Sequence, residues 1–147
     1  MNEEIRTLLR FNEITLKLNM TDLSHEESLI YPEKGGNSIN WILGHIIVTR
    51  DFLLELTGNK AVCDPKISAG YNKNAGKINS DNAEDLFALV DKYKESQDIL
   101  LNTFNEKDFR SDTEINENIA GLCFHEAYHL GQIGILRRII GKKGMIG

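Results

Sequence analysis

The sequence predicts an all-α protein, a bundle of four helices that forms a single domain over residues 1–147. Four segments place apolar residues at the helical spacing of three and four positions, whereas no segment sustains the apolar–polar alternation of a half-buried strand. A length of 147 residues suits one domain with its own core. The composition, 41% hydrophobic and 27% charged, is that of an ordinary globular protein.

The first two helices have clear apolar faces. The first is predicted from about Glu3 to Asn19, and the second from about Ser38 to Thr57, with Gly58 as a natural stop. The apolar face of the first helix holds Ile5, Leu8, Leu9, Leu16 and Leu18. At about 100° per residue, one stripe of the second holds Ser38, Trp41, Ile42, His45, Thr49, Phe52 and Leu56 and is expected to face the core.

The third helix is expected to open after Ser80, its N-cap, and to run to about Phe104. Its stripe holds Leu86, Val90, Tyr93, Gln97, Leu100 and Phe104. The connection before it, Asn59 to Asn79, contains Pro65 and two glycines and has no apolar period. A connection this long is typical of a crossover, which would let the second and third helices run parallel, or of a covering over a functional site.

The fourth helix is predicted from about Glu117 to Ile140, ending at Gly141. Apolar residues lie round much of its circumference, so it is expected to be the most buried of the four. One narrow stripe of it holds Asn118, Leu122, His125, His129, Gln132 and Leu136.

Three of the four histidines therefore lie on stripes that face the core, His45 on the second helix and His125 and His129 on the fourth. A lone core histidine is usually satisfied by a hydrogen bond. Three buried imidazoles need three sets of partners, and each unpaired group costs about 1–3 kcal/mol. A divalent metal shared by the three rings meets that need at once, and this is the hypothesis that the pattern favours.

The segment "HEAYH" also matches the His-Glu-x-x-His pattern of zinc peptidases, in which the glutamate is a general base. Those enzymes take their third ligand from a position downstream. The 18 residues after His129 contain no His, Asp, Glu or Cys, so a metalloprotease is not expected. Glu126 lies about 100° round the helix from His125. A surface or interface carboxylate is favoured for it, and a general base remains the alternative.

The blocks "GNSINWILGHIIVTRDFLLEL" and "HEAYHLGQIGILRRIIGKKG" resemble those of the DinB superfamily, and the resemblance runs through the whole chain in order. It implies a four-helix bundle of up-down-down-up topology that often forms a homodimer. It also implies a divalent metal, zinc or nickel, held through three histidines, which by position are His45, His125 and His129.

For function, the resemblance implies a metal-dependent enzyme that acts on a small molecule, with thiol S-transfer from a low-molecular-weight thiol as the specific expectation. Three imidazoles leave a coordination position for such a ligand. The alternative is a noncatalytic, metal-stabilised bundle that serves as a binding or dimerisation module, because a fold alone does not establish catalysis.

Other polar and aromatic residues on the predicted inner stripes are candidates for supporting roles. Gln132 and Glu126 are the catalytic candidates; Gln132 either orients a ligand of the metal or satisfies buried groups. Gln97 and Asn12 interrupt apolar faces and are candidate partners of the site, although core amides paired with each other are the simpler account. Trp41, one turn before His45, is expected in the core or as a pocket wall.

Outside the stripes, His25 is expected to lie in a loop exposed to solvent. Cys123 is interpreted as a small core residue, whereas Cys63 could reach the site only if the long connection folds over it. A basic cluster of Arg137, Arg138, Lys142 and Lys143 is interpreted as complementing a helix dipole.

The net charge of −5, with charges interspersed, does not favour nucleic acid as a partner. No apolar run approaches the roughly 20 residues that span a bilayer, and no signal-peptide core is found. Two cysteines without a framework spacing suit a reducing compartment. These observations predict a cytoplasmic protein that binds neither membranes nor nucleic acids.

Overall fold

The computed structural model describes residues 3–145. This part of the chain is all-helical and contains no strand, which confirms the predicted fold class. In chain order the helices are α1 (Glu3–Asn19), α2 (His25–Ser28), α3 (Ile39–Leu56), α4 (Pro65–Tyr71), α5 (Leu86–Glu106) and α6 (Thr113–Ile139). The long helices α1, α3, α5 and α6 form the bundle and correspond to the four predicted ones. The structure shows no helix in residues 3–145 that is long and apolar enough to cross a membrane.

Two asparagines give the relative direction of α1 and α6. The Asn12 side chain donates from Nδ2 to the carbonyl of Cys123 (3.3 Å), and that of Asn19 donates to the carbonyl of Leu130 (3.2 Å). Because the residue numbers rise together along both helices, α1 and α6 run side by side in the same direction.

Helices α3 and α5 are likewise parallel. Asn40 donates to the carbonyl of Glu84 (2.9 Å) near the start of both helices, and Asn59 donates to the hydroxyl of Thr103 (3.0 Å) near their ends. A parallel pair cannot be joined by a tight turn. The long connection between them is therefore the predicted crossover, and it carries the short helix α4.

The boundaries of α1 and α3 match the prediction. Ser38 caps α3 by accepting the amide of Trp41, and Gly58 follows the helix with φ +86°, a value that suits glycine. By contrast, the predicted cap of α5 at Ser80 is wrong. Asp85 is the N-cap, because its carboxylate accepts two backbone amides of the first turn.

Helix α6 begins at Thr113, earlier than predicted, because Asp112 caps it and Ile115 already packs in the core. The expectation that this helix is the most buried is wrong. Nine of its 27 residues are buried, against 12 of 18 in α3. The apolar residues on the outer side of α6 are exposed. Apolar residues all round a helix therefore do not mean here that every side of it contacts the core.

Arg137 and Arg138 of the basic cluster lie in the last turn of α6, where cations complement the helix dipole, and Arg137 is in addition buried. Its guanidinium donates to the carbonyls of Asn19 (2.6 Å) and Thr21 (2.7 Å). These carbonyls lie at the end of α1, where the last turn of a helix leaves acceptors without partners. Arg137 therefore caps the neighbouring helix and ties the ends of α1 and α6 together.

Candidate metal centre

The three histidines of the predicted stripes meet between α3 and α6. His45 lies in the first half of α3, and His125 and His129 lie one turn apart on α6. The two Nε2 atoms of His45 and His125 are 3.2 Å apart although the residues are 80 positions apart in the chain. One nitrogen from each of the three rings lies within 4.8 Å of the others. The convergence that the helical stripes predicted is thus present.

This spacing suits a metal ion. Zinc–nitrogen bonds are about 2.0–2.1 Å long, which puts two donors on a tetrahedral ion about 3.4 Å apart. The separation of His45 and His125 is close to that value, and all three nitrogens lie within 4.8 Å of one another. The His45, His125 and His129 group could therefore hold a metal ion.

Two of the rings are oriented by partners on their outer nitrogens. His45 donates from Nδ1 to the backbone carbonyl of Tyr71 (3.0 Å), and His129 donates from Nδ1 to the side-chain oxygen of Gln132 (2.7 Å). A proton on Nδ1 leaves the lone pair on Nε2, which in His45 is the atom that faces His125. Metal-bound histidines are usually held in this way. The role predicted for Gln132 as an orienting group agrees with this contact.

His125 has a different environment. Its Nδ1 is buried and makes no hydrogen bond with any of the described residues. Burial, together with the neighbouring rings of His129 and His45, lowers the pKa of His125 to about 4. Burial also lowers the pKa of His129, against a hydrogen bond to Gln132 that raises it. Both rings are therefore favoured in the neutral form, which a metal requires.

Trp41 forms one wall of the site. Its ring stacks on His45 with the ring centroids 4.9 Å apart and the planes 15° from parallel. The side chain is also buried in the main apolar cluster. Of the two predicted alternatives, the structure places Trp41 in the core, in contact with His45.

The three rings are only half-buried. A cavity of about 320 Å³ is lined by Gln132, the partner of His129, but by none of the three histidines. Ile42, Leu136 and Ile139 form apolar walls of this cavity, and the loop around Gly36 forms its rim. A small molecule entering this cavity would reach the side chain that orients His129.

Glu126 does not lie at the surface, and that prediction is wrong. Its side chain is fully buried and forms an ion pair with Arg50, which is also fully buried. Arg50 reaches both carboxylate oxygens, and Asn12 donates to one of them from Nδ2 (3.1 Å). Both oxygens of the carboxylate are thus engaged by Arg50 and Asn12.

The two core amides belong to the same buried network. Gln97 accepts from Arg50 (2.9 Å) and donates to the carbonyl of Leu9 (3.1 Å). Asn12 contacts Glu126 and the Cys123 carbonyl rather than Gln97. The expectation that Gln97 and Asn12 pair with each other is wrong, because Gln97 bonds to Arg50 and Asn12 bonds to Glu126 instead.

Arg50 and Tyr71 were not identified from the sequence. An arginine inside the apolar run of α3 is a usable signal, since a buried guanidinium needs a carboxylate partner. Tyr71 contributes a backbone carbonyl, for which the side-chain sequence gives no signal. The predicted core-facing stripe of α3 is also wrong at Phe52, which is exposed.

The structure also places His25 and the two cysteines. His25 is half-buried in α2, where its Nδ1 accepts the amide of Leu86 (3.2 Å), so the prediction that His25 lies in a loop exposed to solvent is wrong. Cys123 is a core residue, as predicted. Cys63 is buried beside Asp51. Burial and the neighbouring carboxylate raise the pKa of its thiol, which makes Cys63 a poor nucleophile.

The sequence profile of the DinB superfamily matches residues 8–133. This range contains all three histidines, the Arg50–Glu126 pair and Tyr71. Searches of curated proteins and of solved structures find no match to the chain.

Proposed function

Because the chain belongs to the DinB superfamily, we propose that it is a metal-dependent enzyme that acts on a small molecule, with a low-molecular-weight thiol as cosubstrate. The observation that carries the proposal is the convergence of three imidazole nitrogens within 4.8 Å of one another. A divalent ion, zinc or nickel, held by His45, His125 and His129 would keep a position for an exogenous ligand and lower the pKa of a bound water or thiol.

The residues around the three rings suit this function. Tyr71 and Gln132 hold two of the rings with Nε2 directed inward, so little reorganisation is needed when an ion is bound. Gln132 also donates from Nε2 to the hydroxyl of Tyr128 (3.1 Å), which fixes the amide itself. In the transfer the thiol loses its proton, and its sulfur forms a bond to an electrophilic carbon that releases its leaving group. The cavity beside Gln132 would admit a small molecule.

The first test is metal content. Protein purified without an affinity tag should contain about one divalent ion per chain, and His45→Ala should lose most of it. His25→Ala is the matched control, because His25 lies on α2, outside the triad, and should leave the metal content unchanged. Unchanged metal content in His45→Ala would overturn the proposed ligand set.

The second test addresses catalysis. Metal-loaded protein is mixed with cysteine, glutathione and coenzyme A, and binding is followed by calorimetry. Turnover is then measured with 1-chloro-2,4-dinitrobenzene as a generic electrophile. Thiol binding that disappears in His45→Ala, together with turnover, supports the enzyme. Full metal occupancy without thiol binding favours the noncatalytic, metal-stabilised module.

We further propose that the protein acts as a homodimer through an α1–α6 face, defined by Leu8, Phe11, Leu18, Phe124 and Ile135. These side chains are exposed, with Phe11 60% and Phe124 76% accessible. Leu8, Phe11 and Leu18 fall on a spacing of three and seven residues, which makes one stripe on α1. Exposed apolar surface of this kind on two adjacent helices is typical of a protein interface.

Charge favours a second copy as the occupant of this face. Acidic residues lie at the start of both helices, Glu3 and Glu4 on α1 and Glu114 on α6, and basic residues lie at their ends, Lys17 on α1 and Arg138 on α6. A twofold axis across two parallel helices brings the start of one pair to the end of the other. Opposite charges would then meet at both ends of the interface.

A further inference from the structure

We propose that the buried ion pair of Arg50 and Glu126 is a positioning device, which sets the rotation of α6 so that His125 and His129 face His45. The inference rests on the proposed metal-binding function and deepens it. It also assigns a role to the glutamate of the "HEAYH" segment, namely to orient the helix rather than to move a proton.

Apolar burial alone does not define the rotation of α6. Large apolar side chains lie on its outer side as well as its inner side. The exposed ones are Phe124, Tyr128, Ile135 and Ile139, and the buried ones include Leu122, Leu130, Ile133 and Leu136. Because the hydrophobic effect has no direction, several rotations of this helix would bury a similar apolar area. Some other interaction must select the observed one.

The Arg50 guanidinium supplies that selection. It donates to both carboxylate oxygens of Glu126, to the side-chain oxygen of Gln97 and to the hydroxyl of Ser96 (3.1 Å). Its Cζ also lies 3.8 Å from the ring centre of Tyr93. Since Arg50 and Glu126 are both fully buried, any rotation of α6 that withdraws the carboxylate would leave an unpaired charge in the core, which is strongly destabilising.

The same network fixes α1. Asn12 donates from Nδ2 to Glu126 (3.1 Å) and to the Cys123 carbonyl (3.3 Å) of α6. Gln97 of α5 donates to the Leu9 carbonyl of α1 (3.1 Å). All four long helices therefore meet at one layer of buried polar groups. Such groups select one register among the alternatives that an apolar core permits.

The position of the pair in the sequence connects it to the metal centre. Glu126 directly follows His125, so the angle between their side chains on α6 is fixed by the helix at about 100°. Directing Glu126 to Arg50 therefore directs His125 to its neighbouring face, where His45 lies. His129 follows, because it is one turn further along the same face.

The test uses the untagged full-length protein and Co²⁺. Trp41 is the single tryptophan and stacks on His45, so its fluorescence reports binding, and the visible absorption of Co²⁺ reports the number and arrangement of its ligands. Glu126→Gln keeps the side-chain size but leaves Arg50 without its counter-charge. We expect Co²⁺ to bind about 10–100-fold more weakly, with an altered absorption spectrum.

The matched control is Leu100→Ala, which creates a cavity in the fully buried part of α5 without removing a group of the polar network. It should lower the unfolding temperature and leave the Co²⁺ affinity and spectrum as in the wild type. An equal loss of affinity in both variants would overturn the proposal, because the effect would then follow general stability.

A second variant covers the case in which Glu126→Gln does not fold. Arg50→Met with Glu126→Leu removes both charges, a change that buried ion pairs often tolerate. We expect this double variant to fold and to bind Co²⁺ at least tenfold more weakly. Wild-type affinity and spectrum in either folded variant would overturn the positioning role. A wild-type protein that binds no Co²⁺ would instead refute the metal centre itself.

Discussion

The His125 imidazole is held neutral over much of the acidic range. Burial and the neighbouring histidine rings lower its pKa to about 4, and burial lowers the pKa of His129 as well. A histidine in an unfolded chain has a pKa of about 6.5. Below that pH the unfolded state binds protons that the folded state does not. The free energy of unfolding of the metal-free protein must therefore decrease as the pH falls from about 6.5 toward about 4.

This linkage gives a prediction at the scale of the residue. In metal-free protein, the unfolding temperature should fall between pH 7 and pH 5, and it should fall less steeply in His125→Asn, which has no proton to gain. Calorimetric scans at several pH values provide the measurement. Parallel slopes for the variant and the wild type would contradict the lowered pKa.

At the scale of the element, α3 and α4 approach each other at Gly44. A Cβ atom at this position would lie 2.1 Å from Cδ1 of Tyr71, closer than any real contact. Tyr71 is held there by its hydroxyl, which donates to Asn40 (2.8 Å) and accepts the amide of Glu84 (2.8 Å). The glycine thus lets the crossover lie against α3 and deliver the Tyr71 carbonyl to His45.

Gly44→Ala should therefore affect both stability and metal binding. We expect a loss of about 1–3 kcal/mol in the free energy of unfolding, as for an overpacked core, and weaker metal binding because the partner of His45 is displaced. Urea unfolding and metal titration measure the two effects. Gly121→Ala is the control: an added Cβ there meets no atom within 4 Å, and the change should be neutral or slightly stabilising.

The helices also show what could be predicted from the sequence. The stripe of α5 and the positions of the three histidines could be predicted, because helical spacing alone determines which residues share a face. The start of α5 could not, since Ser80 and Asp85 are both acceptable caps and tertiary contacts of Glu84 and Leu86 decide between them. The buried state of Glu126 was missed because its partner, Arg50, lies on another helix.

At the scale of the whole molecule, the proposed interface at the α1–α6 face would account for a feature of the sequence that contacts within the chain do not. Leu8 and Leu18 were predicted to share the apolar face of the first helix with Leu9 and Leu16, yet both are exposed. The buried residues of the helix are Leu9, Asn12, Leu16 and Asn19. Helix α1 therefore has two adjacent faces with low polarity, of which only one is covered within the chain.

The proposed dimer predicts a clear response to charge. Phe11→Glu combined with Phe124→Glu should convert the protein to a monomer in sedimentation experiments, because two buried carboxylates on each side would oppose association. Phe52→Glu combined with Phe87→Glu is the matched control, since both side chains are equally exposed but lie on α3 and α5. A wild-type protein that is monomeric at high concentration would refute the interface.

The contact between His45 and the carbonyl of Tyr71 has a consequence for how this protein can be dissected. Since the acceptor is part of the main chain, every amino acid at position 71 still carries it. Tyr71→Ala would therefore measure the loss of the aromatic ring, but it would not measure the contribution of the carbonyl oxygen that orients His45. Measuring the contribution of that oxygen requires a change to the main chain itself, either an ester bond in place of the amide after Tyr71 or a crossover of different length.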